Sequence, residues 1–225
     1  MTNPSLSGLA KLKTYIPQDN IKCLDVGANT GQWIGAIRQI YTAPDIFSIE
    51  VNPHCESYLA SKQVKYKMVG LSDKVGTMVL KTFKRKPRSK GASFYTQVDW
   101  TNDNILEITV PVSTLDTLFP EQTFDILKID VQGAELDVIN GGIEFLKRHT
   151  FVLAEVALTD YNKGAPLAKD VVSRLEELGF YVADCLEEHI VGNQEYRLIC
   201  FLDQIQNNII KRLWKNIYDW YSNYI

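Results

Sequence analysis

The chain has 225 residues, 45% of them apolar and 23% charged, with a formal net charge of −3, the balance of a soluble globular protein with one α/β domain. That charge gives no global reason to expect nucleic-acid binding, and no run approaches the roughly 18 apolar residues that a membrane span requires. The N-terminal stretch lacks the basic start, apolar core and cleavage site of a secretory signal. Cys23, Cys55, Cys185 and Cys200 form no CxxC pair, and His54, His149 and His189 are equally dispersed. Reduced thiols, a cytoplasmic location and no metal site are therefore expected.

In chain order, apolar runs of strand length alternate with helical periodicity, the pattern of parallel βαβ units. IKCLDVG at 21–27 predicts a first strand, and Trp33, Ile34, Ile37 and Ile40 predict a helix starting near Thr30. A second strand is expected at 45–51, with Pro53 opening a short helix through Leu59, and a third strand at 64–72. Residues 76–112 break this rhythm: GTMVLKTF and ILEITVPV read as strands around a basic segment from Lys84 to Ser93, an insertion over one end of the sheet. A short helix at 113–119 is capped by Ser113. A strand at 124–131 precedes a helix at 133–148, weakened by Gly141 and Gly142. A strand at 150–158 leads to a helix at 166–178 ending at Gly179. Runs at 180–186 and 195–202 are expected to pair as an antiparallel hairpin. The tail, 204–225, reads as an amphipathic helix carrying Ile205, Ile209, Leu213, Ile217 and Tyr221 on one side. Packing on its own domain, a homodimer contact and docking on anionic lipid through Lys211, Arg212 and Lys215 all remain open.

The turn CLDVGANTGQW carries the first chemistry. Its spacing is G-x-x-x-G, not the G-x-G-x-x-G of a pyrophosphate site, and no Lys-Ser/Thr follows as in a P-loop. Gly27 suits a sharp turn, and Gly31 would let a ligand come close. Asp25 at the end of the first strand would repel a phosphate, whereas Glu50 at the end of the second can accept both hydroxyls of a ribose. Acid, glycine turn and second acid describe a phosphate-free, cationic nucleoside, and S-adenosylmethionine fits.

DVGANTGQW, IEVNP and LKIDVQGAELDVINGG resemble the FkbM-type family of S-adenosylmethionine-dependent methyltransferases. GLSDKVGTMVL, KGASF and VPVSTLDTL are similar to that family's middle section, so the match runs in order from about residue 21 to about residue 158. The resemblance implies a Rossmann-like class I methyltransferase fold in the α/β class. That is a mostly parallel seven-stranded sheet with a terminal antiparallel hairpin, here with a β-rich insertion and a C-terminal helix, 1–203 forming the methyltransferase domain. It places Asp25, Gly27, Asn29, Gly31 and Gln32 on the cofactor turn and Glu50 on the ribose. Asn52 falls beside the adenosine, and Leu71, Ser72 and Asp73 border the adenine. Gln132 departs from the family, which usually has Glu there.

Asp130 and Glu155 lie near the carboxyl ends of adjacent strands, facing one crevice. Asp130 is the first choice for general base or substrate positioning and Glu155 the second; the competing reading is that Asp130 only orders the cofactor's amino-acid end. Glu135 could instead make a structural contact at its helix start. Lys128, inside an apolar strand, is expected to pair with one of these acids. The basic run KRKPRSK at 84–90, flanked by Phe83, Phe94, Tyr95 and Trp100, could bind an anionic substrate or be a solvated loop. A nucleic-acid partner would want a wider basic surface, and the chain lacks the Asn/Asp-Pro-Pro-aromatic tetrapeptide of many base-modifying methyltransferases. The expected activity is O-methylation of a sugar, glycan or secondary metabolite. The competing readings are a non-catalytic scaffold on this fold and a Rossmann oxidoreductase.

Overall fold

The computed structural model describes residues 6–98, 100–149, 151–191 and 194–203. The predicted C-terminal helix lies outside the described residues. The strands are β1 (Lys22–Val26), β2 (Asp45–Glu50), β3 (Lys65–Met68), β4 (Gly70–Leu71), β5 (Gly76–Phe83), β6 (Ile105–Ser113), β7 (Ile126–Ile129), β8 (Phe151–Ala157), β9 (Phe180–Val191) and β10 (Gln194–Asp203). The helices are α1 (Leu6–Ala10), α2 (Leu12–Tyr15), α3 (Gln32–Ile40), α4 (Glu56–Ser61), α5 (Leu115–Leu118), α6 (Glu135–Asn140), α7 (Ile143–Leu146) and α8 (Ala168–Glu177).

Seven strands form one sheet in the order β3-β2-β1-β7-β8-β10-β9. The first five pair in parallel, while β10 runs antiparallel to both β8 and β9. The order reverses between β1 and β7, and open α/β sheets bind ligands beyond the carboxyl ends of the strands at such a switch point. Side chains alternate across the strands. Leu24, Val26, Leu127 and Ile129 join the core built by α5 to α8, whereas Cys23 and Ile126 join the opposite core with α1 to α4. Among the described residues no helix is long and apolar enough to cross a membrane.

Three local expectations are corrected. The third strand splits at Val69: β3 stays in the main sheet, while β4 leaves to pair with β6 in a second sheet ordered β4-β6-β5. Ser113 ends β6, and Thr114 is the cap of α5, its Oγ1 accepting from the Thr117 N–H at 3.0 Å. The helix expected at 133–148 is two helices, because Gly141 packs where a Cβ would sit 2.0 Å from the Ser72 carbonyl oxygen. The small sheet and the segment after β5 stand over the carboxyl ends of the main sheet, as expected for the insertion.

Candidate active site

A cavity of about 110 Å³ opens at the switch point, several times the roughly 10–15 Å³ that one water needs by the same measure. It is lined from the main sheet by Gly27, Glu50, Lys128, Asp130 and Glu155, and from the first turn of α3 by Gln32 and Trp33. The link between the sheets adds Val69, Gly70 and Leu71, and the insertion adds Leu80, Lys90, Ala92, Ser93 and Phe94.

The glycine turn is built on three left-handed residues, Gly27 (φ 80°), Asn29 (φ 48°) and Gly31 (φ 75°). At Gly27 a Cβ would lie 1.8 Å from the Asp130 carbonyl oxygen, so that position admits no side chain. Asn29 occupies the middle left-handed site, which Asn tolerates better than most residues. The sequence signal was therefore present, but an alternating left-handed turn reads as G-x-x-x-G when its middle residue is Asn. Gly31 does not line the cavity. The space where its Cβ would point is filled by Lys62, and the glycine serves the start of α3.

Glu50 is 5% exposed, and its carboxylate accepts the backbone N–H groups of Asn29 (2.6 Å), Val51 (2.9 Å) and Asn52 (2.7 Å). Burial raises its pKa, and these three donors oppose the rise. A carboxylate offers about four acceptor positions, so the acid both clamps the turn and keeps capacity toward the cavity. Asn52 is buried behind this wall and donates its side-chain N–H to the Pro87 carbonyl at 2.6 Å. Leu71 lines the cavity, whereas Ser72 is buried outside it.

Asp25 is placed differently from its expected role beside a ligand. Residues 23 and 25 share a sheet face, so its side chain enters the layer under α3 instead of the space beyond the strand end. It stands in register with Lys128 on β7, is fully buried, and pairs with the Lys128 ammonium at 3.0 Å. The same ammonium lies 3.3 Å from Asp130 and donates to the Gly27 carbonyl at 3.2 Å. Burial opposes the charge on Lys128, but Asp130 and Asp25 outweigh it and hold its pKa above the usual lysine value. The expected partner of the strand lysine is thus a pair of acids.

On the far wall, Asp130 accepts from the Gln132 side-chain N–H at 2.8 Å. Glu155 faces the same space. Burial and then the neighbouring Asp130 carboxylate push its pKa well above the ordinary carboxylate value. Glu135 does not line the cavity: it accepts the N–H groups of Val131 (3.2 Å) and Gly133 (3.0 Å) and so ties the turn after β7. Burial raises it to about 7. Of the cavity walls, Lys90 and Phe94 belong to the segment expected to meet a substrate, whereas Trp33 and Lys128 read from sequence as a helix-face residue and a strand lysine in an ion pair, with no sign that they line the cavity.

The lining fits an adenosine-bearing cation. Apolar walls from Ile49, Val69, Leu71, Leu80 and Phe94 are flanked by the Glu50 carboxylate at one end and by Asp130 and Glu155 at the other. The Trp33 indole N–H is buried and without a hydrogen-bond partner among the described residues, a donor that a bound ligand can satisfy.

The Methyltransferase FkbM domain matches residues 25–182. No curated protein sequence matches the chain. Among solved structures, magnesium protoporphyrin IX methyltransferase from Synechocystis PCC 6803 with bound SAM superposes with a TM-score of 0.52 at 8% identity, over 88% of this chain and 77% of that one. Fibrillarin from Aeropyrum pernix with natively bound S-adenosyl-L-methionine gives 0.52 at 11% identity, over 88% and 73%. At these identities the likeness is one of fold.

Proposed function

Because this chain belongs to the Methyltransferase FkbM domain family, an S-adenosylmethionine-dependent methyltransferase, we propose that it methylates a hydroxyl oxygen of a small molecule or glycan. The observation that carries the reading is one cavity with a hydrogen-bonded acid and left-handed turn at one end and the carboxyls of Asp130 and Glu155 at the other. Glu50, Asn29 and Gln32 would hold the adenosine half of S-adenosylmethionine, which supplies an electrophilic methyl on a cationic sulfur. Leu71 and Phe94 would cover its base.

Methyl transfer to a hydroxyl needs alignment and a destination for the hydroxyl proton. Asp130 is already engaged by Lys128 and Gln132, which fits it to position groups in the cavity. Glu155 lines the same cavity, and burial together with the neighbouring Asp130 carboxylate raises its pKa above the ordinary carboxylate value, which makes its ionised form the stronger base. Glu155 therefore takes the proton and Asp130 orients the reactants, the second of the two roles expected for Asp130 from sequence.

The test is transfer of labelled methyl from S-adenosylmethionine to a panel of glycosides, polyols and phenols, with the product's methyl located by NMR. Activity should rise with pH as Glu155 ionises. Glu155→Gln should lose about 10²- to 10⁴-fold in rate and this limb of the profile, while still binding S-adenosylhomocysteine. A methyl found on nitrogen, or a Glu155→Gln enzyme with the wild-type profile, refutes the assignment.

A further inference from the structure

The proposed methyl transfer gives roles to the acids of the cavity but not to two other groups that line it, Gln132 and Lys90. Gln132 is 6% exposed and sits in the left-handed region at φ 58°. Its backbone carbonyl is pinned by Ser93 Oγ at 2.6 Å and by the Asn162 side-chain N–H at 2.8 Å. The orientation of its amide follows from chemistry: the Asp130 carboxylate can only accept, so the N–H must face it. Oε1 is then the end left over, buried, on a cavity-lining residue and without a hydrogen-bond partner among the described residues. A neutral amide oxygen in that position accepts from a hydroxyl.

Lys90 is the second group. It lines the cavity at the end of the run Lys84 to Lys90, which holds five cations and no acid. The run is strapped in place through its own backbone. Pro87 O accepts from Asn52 and from Thr82 Oγ1 at 3.1 Å, and Ser89 O accepts from Asn29 at 3.5 Å. Arg88 stacks on Tyr58, 4.6 Å from the ring centre. The exposed Lys84, Arg85 and Lys86 pair with no acid among the described residues. Five cations in seven residues, tied down through their backbone and ending at a cavity-lining lysine, make a local positive patch on a chain of net charge −3, and such a patch attracts anions.

We propose that the acceptor is a hydroxyl compound carrying a fixed negative charge, a phosphate ester being the form tested, whose hydroxyls donate to Gln132 Oε1 while its anion faces Lys90 and the basic run that ends there. This rests on the oxygen-transfer reading. Protein loaded with S-adenosylhomocysteine is titrated calorimetrically with a hexose 1-phosphate and with the corresponding methyl hexoside. The phosphate ester should bind at least about tenfold tighter, and high salt should shrink that preference. Lys90→Gln should remove the preference, and the triple Lys84→Ser, Arg85→Ser, Lys86→Ser variant, all exposed positions, should reduce it. Gln132→Leu should weaken both probes alike with the nucleoside affinity intact. Equal affinity for the two probes, binding of neither by protein that holds S-adenosylhomocysteine, or a preference that survives both cation variants overturns the proposal. Equal affinity leaves oxygen transfer standing, whereas a methyl found on nitrogen overturns oxygen transfer without touching the binding result.

Discussion

Asp25→Asn separates a structural role for the first-strand acid from a cofactor-binding one. The change keeps the side chain's shape but removes the charge from a fully buried site, leaving Lys128, itself 4% exposed, with one fewer partner. Breaking a buried pair costs about 3–5 kcal/mol. Lys128 retains Asp130 at 3.3 Å and the Gly27 carbonyl at 3.2 Å, so the low end applies, about 3 kcal/mol. For a domain of this size that lowers Tm by about 6 to 12 °C, read by calorimetry or circular dichroism. Affinity for S-adenosylhomocysteine, measured well below the new Tm, should fall by less than about tenfold, because Asp25 reaches the cavity only through Lys128 and the turn. An Asp25→Asn protein with unchanged Tm and abolished nucleoside binding would show that the carboxylate reaches the ligand and that the register argument is wrong.

Two further perturbations test the turns that frame the cavity. At Asn29, with φ 48°, Asn29→Gly should change stability by only a few tenths of a kcal/mol, while Asn29→Ala should cost about 1–2 kcal/mol by urea denaturation; equal costs would mean the side chain, not the backbone angle, matters there. Glu135 has its pKa raised to about 7 from an ordinary 4.5. Its contribution is therefore fully present below the unfolded value and lost as pH climbs from about 4.5 to about 7. Stability should decline by roughly 3 kcal/mol across that window on its account, and Glu135→Gln should flatten the decline, an unchanged slope counting against the assignment.

What could be read in advance was whatever depends on local pattern. The strand alternation, the Gly27 turn, Glu50 at the second strand end and the shared crevice of Asp130 and Glu155 follow from periodicity and connection lengths. Lys128 announced a buried partner because an ammonium among Ile126, Leu127 and Ile129 would otherwise be costly. What escaped depended on parity and on distant chain. Leu24 and Val26 face one core and Cys23 the other, so counting by two sends Asp25 sideways into the sheet face, away from the ligand space. The split at Val69 could not be seen because β4 is stabilised by β6, more than thirty residues later. The return of Lys90 and Phe94 over the turn is fixed by Asn52 and Thr82 bonding to Pro87, contacts with no sequence signature.

The charge arrangement has a consequence for how the proposed chemistry would be timed. Without a ligand, Glu50 is met by three backbone N–H groups, and Asp130 by Lys128 and Gln132. Glu155 is the carboxyl of this space whose proton is favoured by burial and by its acidic neighbour. An opposite charge nearby favours the ionised form of a carboxyl. On the proposed mechanism, a cation seated between the two walls would favour the ionised form of Glu155 when a methyl donor is in place. After transfer, the same burial would favour the hydroxyl's proton residing on Glu155. On the proposed mechanism the buried acids would couple donor binding to base formation, and the acidic limb of kcat, which reports the donor-bound enzyme, should then lie at lower pH than that of kcat/KM; coincident limbs would refute the coupling.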